Sequence, residues 1–264
     1  MLLLAISLFL AGAILPFARA ADEGLNDLAL KAGLMYFGTA VDNVSLNRSN
    51  YVAIVNYTHE WGQITAANGL KWDATEPSRN VFNWTAGNEI MDPALEHQQI
   101  RRCHTLVWHR ALPEWLTSQT WTRDELSSIL ENHIKNVVTN YEGRCYAWDV
   151  VNEAFNVNGT WRSNIWYDTI APEYVAFAFT TARKYTTAKL SALMVFPIDG
   201  VGIQAHLVVG SLDYTAILRY FASITGLELA VTELDIRIQL PNDAAKTEQQ
   251  AVDYANVVQA CQQV

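Results

Sequence analysis

Short apolar runs rich in β-branched and aromatic residues alternate along the chain with longer stretches of helical periodicity. Runs 34–41, 59–65, 103–109, 145–153, 200–206 and 227–235 read as strands, and stretches 49–56, 88–99, 122–140, 172–185, 213–223 and 245–260 read as helices. Strand followed by helix, repeated in this way, predicts a parallel sheet covered by helices. Polar residues gather at the C-terminal ends of the later strands: Asn152 and Glu153, Gln204 and His206, Glu233 and Asp235. In an α/β barrel that end of the sheet carries the active site.

The N-terminus departs from the pattern. Residues 2–17 are almost wholly apolar yet too short for a membrane span, and Ala18-Arg19-Ala20 offers a small-x-small cleavage site. Residues 1–20 therefore read as a secretory signal peptide, and residues 21–264 as a soluble extracellular domain. Five N-x-S/T sequons, at Asn43, Asn47, Asn56, Asn83 and Asn158, fit a secreted glycoprotein. With 50% hydrophobic and 17% charged residues the chain can build a large core, which excludes disorder. A net charge of −9 argues against nucleic acid or an anionic membrane as a partner. The length of 264 residues suits one α/β barrel of ~250 residues rather than two domains. None of the three cysteines, Cys103, Cys145 and Cys261, has metal-site spacing. Cys103 and Cys145 begin two neighbouring strands; an oxidising compartment favours a disulfide there, while two buried thiols fit the geometry equally well.

The strongest chemical signal is a pair of glutamates, Glu153 and Glu233, each ending an apolar strand. A carboxylate in such a place costs free energy unless it is paired, hydrogen-bonded or protonated. Two carboxylates in unlike environments can divide into a proton donor and a nucleophile, as glycoside hydrolysis requires; the bland alternative is two solvent-facing strand ends. The neighbours favour chemistry. Gln204 and His206 share one strand face, Glu233 and Asp235 another, and His104 and Trp108 a third. Trp offers flat apolar faces to sugar rings, and Asn, Gln, His and Lys bind hydroxyls. Without more context the histidines, Lys71, Trp72 and Trp108 would read as ordinary core or surface residues.

Six ordered motifs add that context. WDVVNEAF (148–155) and VTELDIR (231–237) resemble the acid/base and nucleophile segments of glycoside hydrolase family 10, the endo-β-1,4-xylanases. CHTLVWH (103–109), IDGVGIQAHL (198–207), LMYFGTAVDN (34–43) and NGLKW (68–72) match the family in the same order. The resemblance runs from about Leu25 to Val264 and is nearest to secreted fungal members. It implies a (β/α)8 TIM barrel, no cofactor or metal, xylan as the partner, and a monomer. It also implies a retaining mechanism with Glu233 as nucleophile and Glu153 as acid/base. Asn152 would bind the 2-hydroxyl at the cleavage point, with His104 on the same sugar. His206 would contact Glu233 and be held by Asp235. Trp108 would support the floor, with Gln204 in the polar cluster and Lys71, Asn68 and Glu60 on the glycone side.

Several positions depart from the family pattern. Ala67 replaces a glutamate in the segment Thr65–Trp72, and Arg110-Ala111 replaces Ser-Gln after His109, which weakens the distal glycone side. Lys189–Ile203 runs almost directly from one strand segment into the next, so the strand-5 and helix-5 region is short. Glu153 and Glu233 are 80 residues apart, where three crossover units of ~30 residues need roughly 90. The sequence also stops before an eighth strand. The expectation is an incomplete barrel with outer edges on strands 1 and 7, and the alternative to an active xylanase is a weakly folded relative that at most binds xylan. A β-1,4-glucanase on a similar barrel fits the motifs less well.

Overall fold

The computed structural model describes residues 23–191, 199–210, 216, 219, 223 and 226–263. The expected signal peptide and most of the expected helix 213–223 lie outside the described residues.

Seven parallel strands form one sheet in chain order: β1 (Gly38–Val41), β2 (Gln63–Ala66), β3 (Ile100–Val107), β4 (Ala147–Val151), β5 (Lys189–Ser191), β6 (Gly200–Val208) and β7 (Glu228–Arg237). This is the incomplete (β/α)8 barrel expected from the sequence, with β1 and β7 outermost among the described strands. The helices are α1 (Leu25–Lys31), α2 (Ser49–Val55), α3 (Trp72–Thr75), α4 (Thr85–Glu96), α5 (Glu114–Thr117), α6 (Arg123–Asn140), α7 (Ile165–Ile170), α8 (Glu173–Tyr185) and α9 (Ala244–Cys261).

Local chemistry explains the best-defined helix. Thr122 and Glu125 form a reciprocal capping box at the start of α6, with the Glu125 carboxylate accepting from the Thr122 amide at 2.9 Å. Leu126, Ile129, Leu130, His133, Ile134, Val137 and Val138 then bury one face at helical spacing. At the start of α9 the Asp243 side chain accepts from the Lys246 amide.

The strand bounds shift in several places: β4 ends at Val151 rather than at residue 153, so Asn152 and Glu153 follow it, and β6 and β7 run on to Val208 and Arg237. β1 begins at Gly38 rather than at residue 34. β2 begins at Gln63 rather than at residue 59, because the amides of Glu60 and Trp61 turn back to the Tyr57 carbonyl, both at 3.0 Å. β3 ends at Val107 with a register shift after His104, so Trp108 leaves the strand instead of sharing a face with His104. The shortened strand-5 region is a real strand. β5 pairs with β4 over three residues, and Ser191 opposite Gly200 passes the sheet on to β6.

Among the described residues the buried apolar side chains fall into two groups. The larger runs from β1 to β5 with helices α2 to α8, and the smaller joins β6, β7 and α9 through Val201, Ile203, Ala205, Leu207, Ile236, Val257 and Ala260. Cys103 and Cys145 are disulfide-bonded in the larger group. They are not register partners: Cys103 lies inside β3 opposite Trp148, and Cys145 lies just before β4.

Candidate active site

The barrel interior carries a charged cluster below the strand ends. Arg102 on β3 forks onto the Asp149 carboxylate of β4, and His104 Nδ1 lies 3.0 Å from the same carboxylate. Burial alone would push the Asp149 carboxyl upward, but the Arg102 charge and the His104 and Arg102 hydrogen bonds bring it down to about 2. A glycine on β6 makes room for this: a Cβ at Gly202 would meet the Arg102 guanidinium at 2.9 Å.

At the C-terminal end of the sheet the two glutamates have different surroundings. Gln204 Nε2 donates to Glu233 Oε1 at 2.9 Å and to Asn152 Oδ1 at 3.0 Å. His206 Nε2 lies 3.2 Å from Glu233 Oε2, while its Nδ1 is bonded to Asp235. The Asp235 bond raises the His206 imidazole above its ordinary value, and burial only partly opposes it. An imidazolium held this way donates to both carboxylates, Asp235 through Nδ1 and Glu233 through Nε2.

Glu153 follows β4 in a left-handed conformation, with φ of 51°. Such a backbone costs a non-glycine residue roughly 1–3 kcal/mol and persists only where the surroundings fix it. Its carboxylate Oε2 is 3.8 Å from His109 Nε2 and 4.0 Å from an Arg162 nitrogen. Burial, reinforced by the charge of Arg162, lowers the His109 imidazole below its ordinary value. Arg162 is therefore a cation beside Glu153, a charge that His109 does not share.

Lys71 joins the group from the other side. Its ammonium lies 4.7 Å from the centre of the Trp108 ring and donates to Asn68 Oδ1 at 2.7 Å, and Asn68 donates to Asp42 at 2.8 Å. Burial lowers Lys71 from its ordinary value, while the negative charges of Asp73, Glu233, Asp42 and Glu153 work against that. Trp108 is pinned through its carbonyl, which accepts from Trp166 Nε1 at 2.8 Å.

The structure thus gathers Asn152, Gln204, His206, Glu233 and Asp235 into one hydrogen-bonded group. It sets Glu153, Lys71, Asn68 and Trp108 at the same strand ends and His104 just below them. Glu60 is the exception. It precedes β2, at the opposite end of the sheet, and its carboxylate accepts from the Leu25 amide at 3.1 Å. The run 59–65 already sets Glu60 at the N-terminal start of its strand, and the glycone-side role came from the resemblance alone. Arg162, His109, Asp149 and Arg102 were not anticipated as site residues. Asp149 carried a signal, as a lone charge inside an apolar strand with the same parity as Glu153.

The model of glycosyl hydrolase family 10 matches residues 24–195 and 188–264. The chain belongs to this family. An endo-1,4-β-xylanase of Agaricus bisporus is 41% identical over 266 residues, covering 91% of this chain and 80% of the relative. Endo-1,4-β-xylanase C of Phanerodontia chrysosporium is 40% identical, and the chain spans 67% of that relative's length. Among solved structures, a family 10 xylanase from Bispora sp. MEY-1 with xylobiose superposes with a TM-score of 0.85 at 36% identity, covering 91% of this chain and 84% of that one. A Penicillium canescens endo-1,4-β-xylanase gives a TM-score of 0.85 at 35% identity, covering 92% and 83%. The strand order described above is therefore the family's barrel.

Proposed function

We propose that the chain is a secreted endo-1,4-β-xylanase that cleaves internal xylosidic bonds of xylan with retention of configuration. Residues 1–20 form its signal peptide and residues 21–264 its catalytic domain. The observation that carries the reading is the unlike pairing of the two glutamates. Glu233 is held by Gln204 and His206 as a carboxylate acceptor, and Glu153 stands apart on a left-handed strand end.

The chemistry follows from these roles. A Glu233 oxygen attacks the anomeric carbon while Glu153 gives its proton to the glycosidic oxygen, which leaves with the bonding electron pair. Glu153, now a carboxylate, takes a proton from water as the water oxygen attacks the same carbon and expels Glu233. Asn152, kept in place by Gln204, binds the 2-hydroxyl through a contact that strengthens in the transition state. Lys71, Asn68 and Trp108 bind and floor the glycone sugar, and His104, fixed by Asp149, supports the same ring.

The test is release of reducing ends from xylan by purified protein, with carboxymethylcellulose as comparison substrate. Xylan should be hydrolysed much faster, and Glu233→Ala should abolish the release. Xylan binding with no hydrolysis would favour a binding protein, and undiminished activity of Glu233→Ala would remove Glu233 from the mechanism.

A further inference from the structure

The loop after β4 carries an arrangement that the proposed reaction does not yet use. Arg162 meets three consecutive carbonyls at the point where Glu153 turns left-handed. Its Nε donates to Glu153 O at 3.1 Å, its terminal nitrogen to Phe155 O at 3.1 Å, and its own amide to Ala154 O at 2.9 Å. A planar guanidinium can span two carbonyls at fixed spacing, which a lysine ammonium cannot do.

Arg162 is itself anchored. The Asn164 side chain donates to the Arg162 carbonyl at 2.9 Å, and its oxygen caps α7 by accepting from the amides of Trp166 and Tyr167. Trp166, at the start of α7, then bonds the Trp108 carbonyl. Between Phe155 and Trp161 the loop folds back as a bridge, with the two rings 4.4 Å apart and the Asn156 amide bonded to Thr160 O at 2.8 Å. Residues 153 to 162 therefore form a closed turn whose far end grips its near end.

The geometry points to Arg162 as a positioning residue for the proton donor. It holds the left-handed backbone of Glu153, aims its carboxyl at the glycosidic oxygen, and ties that aim to α7. The inference rests on the reading of Glu153 as acid/base. A misplacement of ~1 Å at such a group can cost about 10²-fold in rate.

The test separates leaving groups. A xylobioside of 2,4-dinitrophenol needs no proton to depart, whereas the sugar leaving group of a xylo-oligosaccharide does. Arg162→Gln should lower kcat on xylohexaose about 10²-fold, leave KM within about threefold, and leave the dinitrophenolate burst close to that of the unmodified protein. Arg162→Lys keeps the charge without the fork and should behave like Arg162→Gln. It also serves as the deciding variant if Arg162→Gln does not fold, as shown by its melting curve. Equal losses on both substrates, no loss on either, or full activity of Arg162→Lys would overturn the inference. Glu153→Ala run in parallel tests the reading beneath it. If that variant also loses the dinitrophenolate burst, the acid/base role itself falls, independently of Arg162; its steady-state turnover falls in either case, because the second step needs the base.

Discussion

Gln204 reaches from β6 to the Asn152 carboxamide at the end of β4, 3.0 Å away, and so ties the larger apolar group to the smaller one at the level of the active site. The same nitrogen serves Glu233, so its two hydrogens set the distance between the Asn152 carboxamide and the Glu233 carboxylate. Gln204→Leu removes both bonds. The expected result is a fall in kcat/KM on xylan of about 10²-fold, the scale for one preorganised donor, measured by reducing-end release. A loss below threefold would show that Asn152 and Glu233 hold their places unaided.

The basic side of the pH profile should follow His206. Its imidazole is raised above the ordinary 6.5, chiefly by the bond to Asp235. The cation's contribution to stability and to Glu233 is complete below pH 6.5 and is lost as the pH climbs through the raised value. Asp235→Asn should therefore move the alkaline fall of kcat/KM to lower pH. An unchanged alkaline limb would assign it to another group.

Asp149 sets an acid-side expectation. Its folded-state value of about 2 lies below the ordinary 3.8, so the stabilisation is full above pH 3.8 and drains away as the pH falls toward 2. Asp149→Ala leaves the buried Arg102 cation without its partner, which should cost about 3–5 kcal/mol in a denaturant titration. Arg102→Met with Asp149→Leu should recover much of that loss, since neither charge then remains.

The Cys103–Cys145 disulfide closes a loop with a sequence separation of 42. The loop-closure model gives about 4 kcal/mol for a cross-link of this size. Replacing both cysteines with serine should lower the melting temperature by several degrees or more, whereas Cys261→Ser should shift it little.

The sequons are not equivalent. Asn43 uses its side-chain nitrogen to donate to Ala86 O at 2.9 Å and to the Glu89 carboxylate at 2.7 Å, so a glycan there would displace both bonds. Asn158 is exposed on the turn beyond Glu153 and uses its oxygen, not its nitrogen, toward Thr160. Glycopeptide mass spectrometry of protein expressed in a secretory host should find Asn158 occupied and Asn43 bare.

Much of this was legible in the sequence because periodicity and polar strand ends report directly on burial. The α6 capping box and its apolar stripe are visible in Thr122–Val138, and Glu153, Gln204, His206 and Glu233 stand out as polar residues closing apolar runs. Glu60 was misplaced by the resemblance, which set it on the glycone side although the run 59–65 already put it at the N-terminal start of its strand. Arg162 was invisible for a different reason. It binds main-chain carbonyls, whose positions depend on the loop's path and leave no pattern in residue types. The Cys103–Cys145 pairing came out correctly although the assumed strand starts did not, because Cys145 sits just outside its strand.

The thin junction between β5 and β6 bears on how the protein breathes. Among the described residues one ladder pair, Ser191 with Gly200, joins the two strands, and the Asp199 amide donates to the Leu190 carbonyl at 3.0 Å. Side chains add further ties, among them Asp199 with the Leu190 amide and with Arg183, Tyr146 and Lys189 with Glu228 at the base, and Gln204 with Asn152 at the top. Glu153 and Glu233 stand on opposite sides of that junction. A sugar chain bound between them, as the proposed function has it, would act as a further rung and would spend part of its binding energy on latching β6, β7 and α9 to the rest of the barrel. Amide hydrogen exchange in β6 and β7 should slow on ligand binding far more than exchange in β3 or β4, which links catalytic engagement to local unfolding.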